Sequence, residues 1–112
     1  MKFRDPRKHD EKHLAFIRQL PCLVCLDNTA TEACHIRYSD SRAAKVNPGV
    51  GQKPHDFWCV PLCGRHHREQ HAVGSEAAFW KQVEIDSLFV AMALYLNSGD
   101  TEAGETIIRA QQ

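Results

Sequence analysis

Long apolar runs are missing from this 112-residue sequence, so no segment supplies the roughly 20 apolar residues that a membrane-spanning helix needs. A secretory leader is missing too: the opening Met1-Lys-Phe-Arg-Asp-Pro-Arg-Lys8 is polar, and no apolar stretch follows it. There is no internal repeat and no low-complexity tract, which excludes solenoids and disordered linkers as the main architecture. These absences point to one cytoplasmic domain without a membrane.

Net charge is also lacking, yet its distribution is uneven. Residues 1–71 hold twelve Lys and Arg against eight Asp and Glu, a balance of +4, whereas residues 72–112 hold two against six, a balance of −4. A polyanionic partner is therefore not excluded by overall neutrality.

Cysteine and histidine are abundant instead: five of one and seven of the other. A chain this short buries a modest core and is expected to carry an extra staple. Five cysteines cannot all pair internally, and in a cytosolic protein Cys-x-x-Cys reads as a metal binder before it reads as a disulfide.

The periodicity predicts α+β organisation. A basic arm occupies 1–9, and Asp10 is expected to cap a helix over 11–20 with Leu14, Ile17 and Leu20 as its apolar stripe. A short strand is predicted over 32–37. A long cationic segment over 38–56 follows, and a loop of that length is usually functional or mobile. A second strand is predicted over 56–62, where Pro61 favours an edge. A helix over 64–72 stops near Gly74. Further helices start at Ser75 or Glu76, at Asp86 with Leu88, Phe89, Met92 and Leu96 on one face, and at Thr101 with Ile107 and Ile108. The domain plan is thus an arm over 1–9, a core over 10–74 and a helical extension over 75–112 packed on that core.

Two matched pairs carry the first functional signal. Cys22-x-x-Cys25 and Cys63-x-x-His66 have the spacing of structural zinc ligands arriving two by two. Because they come from distant parts of the chain, one ion would cross-link the domain and contribute to its folding directly. Cys59 could replace one of the four, but its apolar strand favours burial.

The second signal is His35, His67 and His71. His67 and His71 are four apart on one predicted helix, so they share a face. His66 lies about 100° away from His67 and can serve the zinc. His35 would come from the strand across the site, and a neutral imidazole can take a proton from water. A metal on a phosphate oxygen would offset the charge that builds during phosphodiester hydrolysis. Arg37, Arg42, Lys45, Lys53, Arg65 and Arg68 are the candidate phosphate contacts.

Taken together, Pro21-Cys-Leu-Val-Cys25, Ala33-Cys-His-Ile-Arg37, Gly51-Gln-Lys-Pro-His-Asp-Phe-Trp58 and Pro61-Leu-Cys-Gly-Arg-His-His-Arg-Glu-Gln-His71 resemble the HNH, or ββα-metal, nucleases. They are most similar to a phage and prophage branch that includes recombination-associated members. The resemblance implies a hairpin and helix around a catalytic divalent ion (Mg²⁺, Mn²⁺ or Ni²⁺), with a structural Zn²⁺ behind it. It implies His35 as general base, His67 and His71 as ligands of the catalytic ion, and Cys22, Cys25, Cys63 and His66 as zinc ligands. DNA is the implied substrate, nicked or cut with little sequence preference.

The sequence departs from the family in two places. Cys34 stands where many relatives carry an acidic or histidine ligand, with Asp56 or His71 as candidate replacements, and the motif's middle asparagine is absent. Cys34 motivates an alternative: a catalytically inactive zinc module that binds nucleic acid or a partner protein. A third reading assigns the apolar C-terminal helices to a homodimer or to a recombination or packaging protein.

Overall fold

The computed structural model describes residues 10–37, 55–72 and 75–112. The arm over 1–9, the stop at Gly74, and Arg42, Lys45 and Lys53 of the cationic segment lie outside them. Among the described residues the fold is α+β: five helices and one two-stranded sheet.

Asp10 does cap the first helix, α1 (Glu11–Arg18), its carboxylate accepting from the His13 backbone N–H at 3.1 Å. His13, Leu14, Phe16 and Ile17 form the buried side of α1. Leu20, just past its end, is buried as well. Strands β1 (Thr31–His35) and β2 (Cys59–Cys63) then pair antiparallel. Their ladder runs from Thr31 opposite Cys63 to His35 opposite Cys59. Pro61, with no N–H to give, faces Ala33 across the ladder, while its carbonyl accepts from Leu23 N–H at 2.9 Å. That bond docks the Cys22-x-x-Cys25 turn onto β2.

β2 passes without a loop into α2 (Gly64–Ala72). Helices α3 (Glu76–Val83), α4 (Ser87–Leu96) and α5 (Thr101–Arg109) follow, capped by Ser75, Asp86 and Asp100. Each cap oxygen accepts from the N–H three residues on, at Ala78, Phe89 and Ala103. One core joins Ile17, Leu23, Ile36, Val60 and Leu62 to Trp80, Leu88, Leu94 and Ile108. The C-terminal helices therefore complete the same core that holds the hairpin. At Gly104, α5 comes so close to α1 that a Cβ would lie 2.9 Å from Phe16 Cζ and Leu20 Cδ2.

The expected face of α4 needs correcting. Leu88 is buried, but with Val90, Ala91 and Leu94; Phe89 and Leu96 are exposed. Nearly every residue of α4 is apolar, so periodicity alone does not choose which side turns inward.

Candidate metal centre and histidine cluster

Four side chains meet at the Thr31–Cys63 end of the ladder. Cys22, Cys25, Cys63 and His66 bring their ligand atoms within 4.8 Å of one another. Cys25 and Cys63 sulfurs are 3.9 Å apart, and His66 Nδ1 lies 3.7 Å from Cys22 Sγ and 3.3 Å from Cys63 Sγ. Zinc bonds of ordinary length set in a tetrahedron give edges of about 3.8 Å between sulfurs and about 3.6 Å between sulfur and nitrogen. The four residues thus fit a tetrahedral ion, and this cluster can hold a structural metal.

Local structure explains why the sequence folds that way here. Leu26 N–H returns to Cys22 C=O at 2.8 Å, and Cys22 N–H donates to Asp27 C=O at 2.9 Å, which closes a tight knuckle. Leu26 pays for the turn with a left-handed φ of 67°. Cys63 sits just before α2. Burial pushes its thiol pKa up, but the His66 and Arg65 backbone N–H groups and the thiols of Cys22 and Cys25 bring it below the usual thiol value. Burial raises Cys25 as well, and there the thiol neighbours add to the rise, to about 11, against an opposing backbone bond from Asp27. His66 turns Nδ1 to the sulfurs, while on its other side Nε2 accepts from Arg65 Nη2 at 3.2 Å, an outer contact that holds the ring in place.

The three histidines of the second predicted site do not meet in this way. His35, His67 and His71 do not form one tight ligand cluster among the described residues. His67 Nδ1 pairs with Glu32 Oε1 at 2.7 Å, and its ring lies 5.1 Å from that of His71. His35 Nε2 instead meets Asp56 Oδ1 at 2.8 Å. Strand alternation explains the split: Glu32 and Cys34 lie on one face of the hairpin, whereas Ala33 and His35 lie on the other. Helix α2 covers the first face, where Gln70 Oε1 accepts from the Cys34 thiol at 3.3 Å and from Trp80 Nε1 at 3.2 Å.

Cys34 is therefore a buried hydrogen-bond donor. Burial, with Glu76 as the next contribution, pushes its thiol up to about 12, so it stays protonated near neutrality. Arg65 is exposed and pairs with Glu69 at 3.4 Å, Arg68 is exposed, and the Arg37 N–H donates to Glu76 at 2.8 Å.

Asp56 and Cys59 are the residues that sequence reasoning undervalued. With His35 they make the second cluster whose ligand atoms lie within 4.8 Å of one another. Asp56 is fully buried, and its other oxygen accepts from the Asp10 backbone N–H at 2.7 Å. The available signal was Asp56-x-x-Cys59, which repeats the spacing of both zinc pairs. Beside it, His13 is buried with Nδ1 2.8 Å from Ser98 Oγ. Burial lowers its pKa against the pull of Asp10 and Asp56.

No helix among the described residues is long and apolar enough to cross a membrane. No solved structure matches the chain. It is 30% identical over 86 residues to the uncharacterized protein YdfU of Escherichia coli (strain K12), a stretch that covers 75% of this chain and 23% of that relative. The chain thus spans about a quarter of the length of the curated relative it matches. A family model matches residues 2–96, and by that match the chain belongs to the family described as protein of unknown function (DUF968).

Proposed function

We propose that this chain is a metal-dependent endonuclease of the HNH type, hydrolysing DNA phosphodiester bonds with low sequence specificity in phage or prophage recombination or DNA processing. One observation carries the reading: His35, at the end of β1, is held at 2.8 Å by a fully buried carboxylate. The same hairpin runs straight into α2, and a Cys/His cluster suited to zinc closes its far end.

In this reading His35 takes the proton from the attacking water. The Asp56 carboxylate fixes the imidazole with its proton on Nε2, which leaves Nδ1 as the basic nitrogen, and it offsets the positive charge after transfer. Asp10 N–H holds Asp56 in turn. Arg37, Arg65 and Arg68 on the described surface would contact phosphate. A divalent ion would supply charge compensation at the phosphate oxygens. Among the described residues, His67 and His71 do not gather with His35 to hold it.

The test is a supercoiled-plasmid assay with Mg²⁺, Mn²⁺ and Ni²⁺. The parent should nick, and His35→Ala should lose about 10²–10⁴-fold in rate while keeping its fold and bound zinc. Equal cutting by the variant would remove His35 from the mechanism.

A second reading, a zinc module that binds nucleic acid or a partner without cutting, is favoured by Cys34. Its thiol is turned to Gln70 and supplies no ligand where an HNH enzyme has one. On that reading the plasmid stays intact with every ion, while binding still weakens as salt is added.

A further inference from the structure

We propose that His35, Asp56 and Cys59 form a second metal site, one that takes a borderline divalent ion such as Zn²⁺ or Co²⁺ and leaves a coordination position open to water. Their ligand atoms already lie within 4.8 Å of one another. The donor set is one imidazole nitrogen, one carboxylate oxygen and one thiol sulfur. A sulfur ligand selects against Mg²⁺ and for zinc-like ions. Three protein ligands with a fourth position open is the arrangement of non-structural zinc sites.

The surroundings fit such a site as well. His35 and Cys59 are register partners at the end of the ladder, so the backbone fixes them side by side. Two further bonds, Ile36 N–H to Trp58 C=O at 2.8 Å and Trp58 N–H to His55 C=O at 3.0 Å, hold the turn that carries Asp56. Asp56 and Cys59 are buried, while the side chain of His35 keeps 22% exposure. An ion could enter from the histidine side and be held from beneath. The Asp10 N–H on Asp56 is the outer-shell bond that orients a ligating carboxylate. Accommodation is small: nitrogen and oxygen ligands of one zinc lie about 3.4 Å apart at ordinary bond lengths, so the 2.8 Å His35–Asp56 contact must open slightly.

Binding would release the Cys59 thiol proton to solvent and replace the His35–Asp56 hydrogen bond by two bonds to the ion. Ligation through Nε2 moves the ring proton to Nδ1, the nitrogen that proton transfer from water requires. The resulting prediction that Zn²⁺ beyond the first equivalent slows cleavage rests on the nuclease reading; the site itself does not.

Cobalt titration of the full chain, followed by metal analysis, tests the site. The parent should take two equivalents, the second adding a thiolate-to-cobalt absorption band. Cys59→Ser should lose that band, and both it and His35→Gln should hold one equivalent; the second variant changes a partly exposed residue and so guards against misfolding. Saturation of the parent at one equivalent, or a second equivalent retained by both variants, would overturn the site. A parent that binds two ions yet never cuts plasmid would refute the nuclease reading and leave the site standing.

Discussion

The two ends of the β1–β2 ladder carry the same kinds of side chain and do different things with them. At the Thr31–Cys63 end, two sequence-local pairs converge on edges of 3.3–3.9 Å, the separations that one tetrahedral ion demands. At the His35–Cys59 end, about 13 Å along the strand, an imidazole closes on a buried carboxylate at 2.8 Å with a cysteine beside it. The first cluster has four ligands, enough to fill a tetrahedron, with Cys25 at the surface. The second has three, and one of them reaches solvent. The comparison teaches that one hairpin is long enough to keep two ligand clusters apart, so that on the reading proposed above a staple and a reactive site could share it.

The sharpest way to break this contrast is to remove the staple. Metal-free protein, or Cys63→Ser, should lose cooperative thermal unfolding, because a structural zinc contributes on the order of 10 kcal/mol in small zinc folds. Circular dichroism melts with and without a strong chelator would show it. Cys59→Ser, at the other end, should melt cooperatively. If Cys63→Ser melts like the parent, the first cluster is not the staple.

A smaller effect separates the roles within the second end. Asp56→Asn can still accept a hydrogen bond from Asp10 N–H but cannot balance an imidazolium. On the nuclease reading, its plasmid-cleavage rate should fall by about tenfold to a hundredfold, with a melting temperature near that of the parent. A large drop in melting temperature with unchanged cleavage per folded molecule would make Asp56 a purely structural carboxylate.

What could be read from the sequence follows the range of the interactions. The Cys22-x-x-Cys25 and Cys63-x-x-His66 pairs are set by a turn and a helix start, so spacing reveals them. Asp10 and Asp86 were legible as caps for the same reason: the contact spans three residues. The His35–Asp56–Cys59 cluster depends on which residues of β1 and β2 face each other across an intervening segment, and spacing says nothing of that register. Cys59 looked like core because it is core: a fully buried residue that also belongs to a cluster. The buried face of α4 was hidden by the opposite problem, apolar residues on every side.

Helix α5 supports the staple end, and its contact can be strained without touching a ligand. Gln112 Nε2 donates to Leu23 C=O in the knuckle at 2.8 Å, and Gly104 lets α5 lie against Phe16 and Leu20. Gly104→Leu should cost about 1–3 kcal/mol by overpacking. Chelator should extract the first metal faster from this variant than from the parent. Unchanged metal release would show that the knuckle holds itself without α5.

The smallest effect has the opposite sign and serves as the control for the others. Glu84 ends α3 in the left-handed region with φ 59°, exposed, its N–H bonding back to Lys81 and Trp80 carbonyls. A residue with a Cβ is strained there by about 1 kcal/mol, and glycine is not. Part of the gain from Glu84→Gly is returned through the greater freedom of the unfolded chain. The expected result is a small rise in melting temperature, with metal content and cleavage rate unchanged. Because Glu84 belongs to neither cluster, a change in either metal stoichiometry or cleavage would mean that the two ends of the ladder respond to global stability, and the local assignments above would lose their basis.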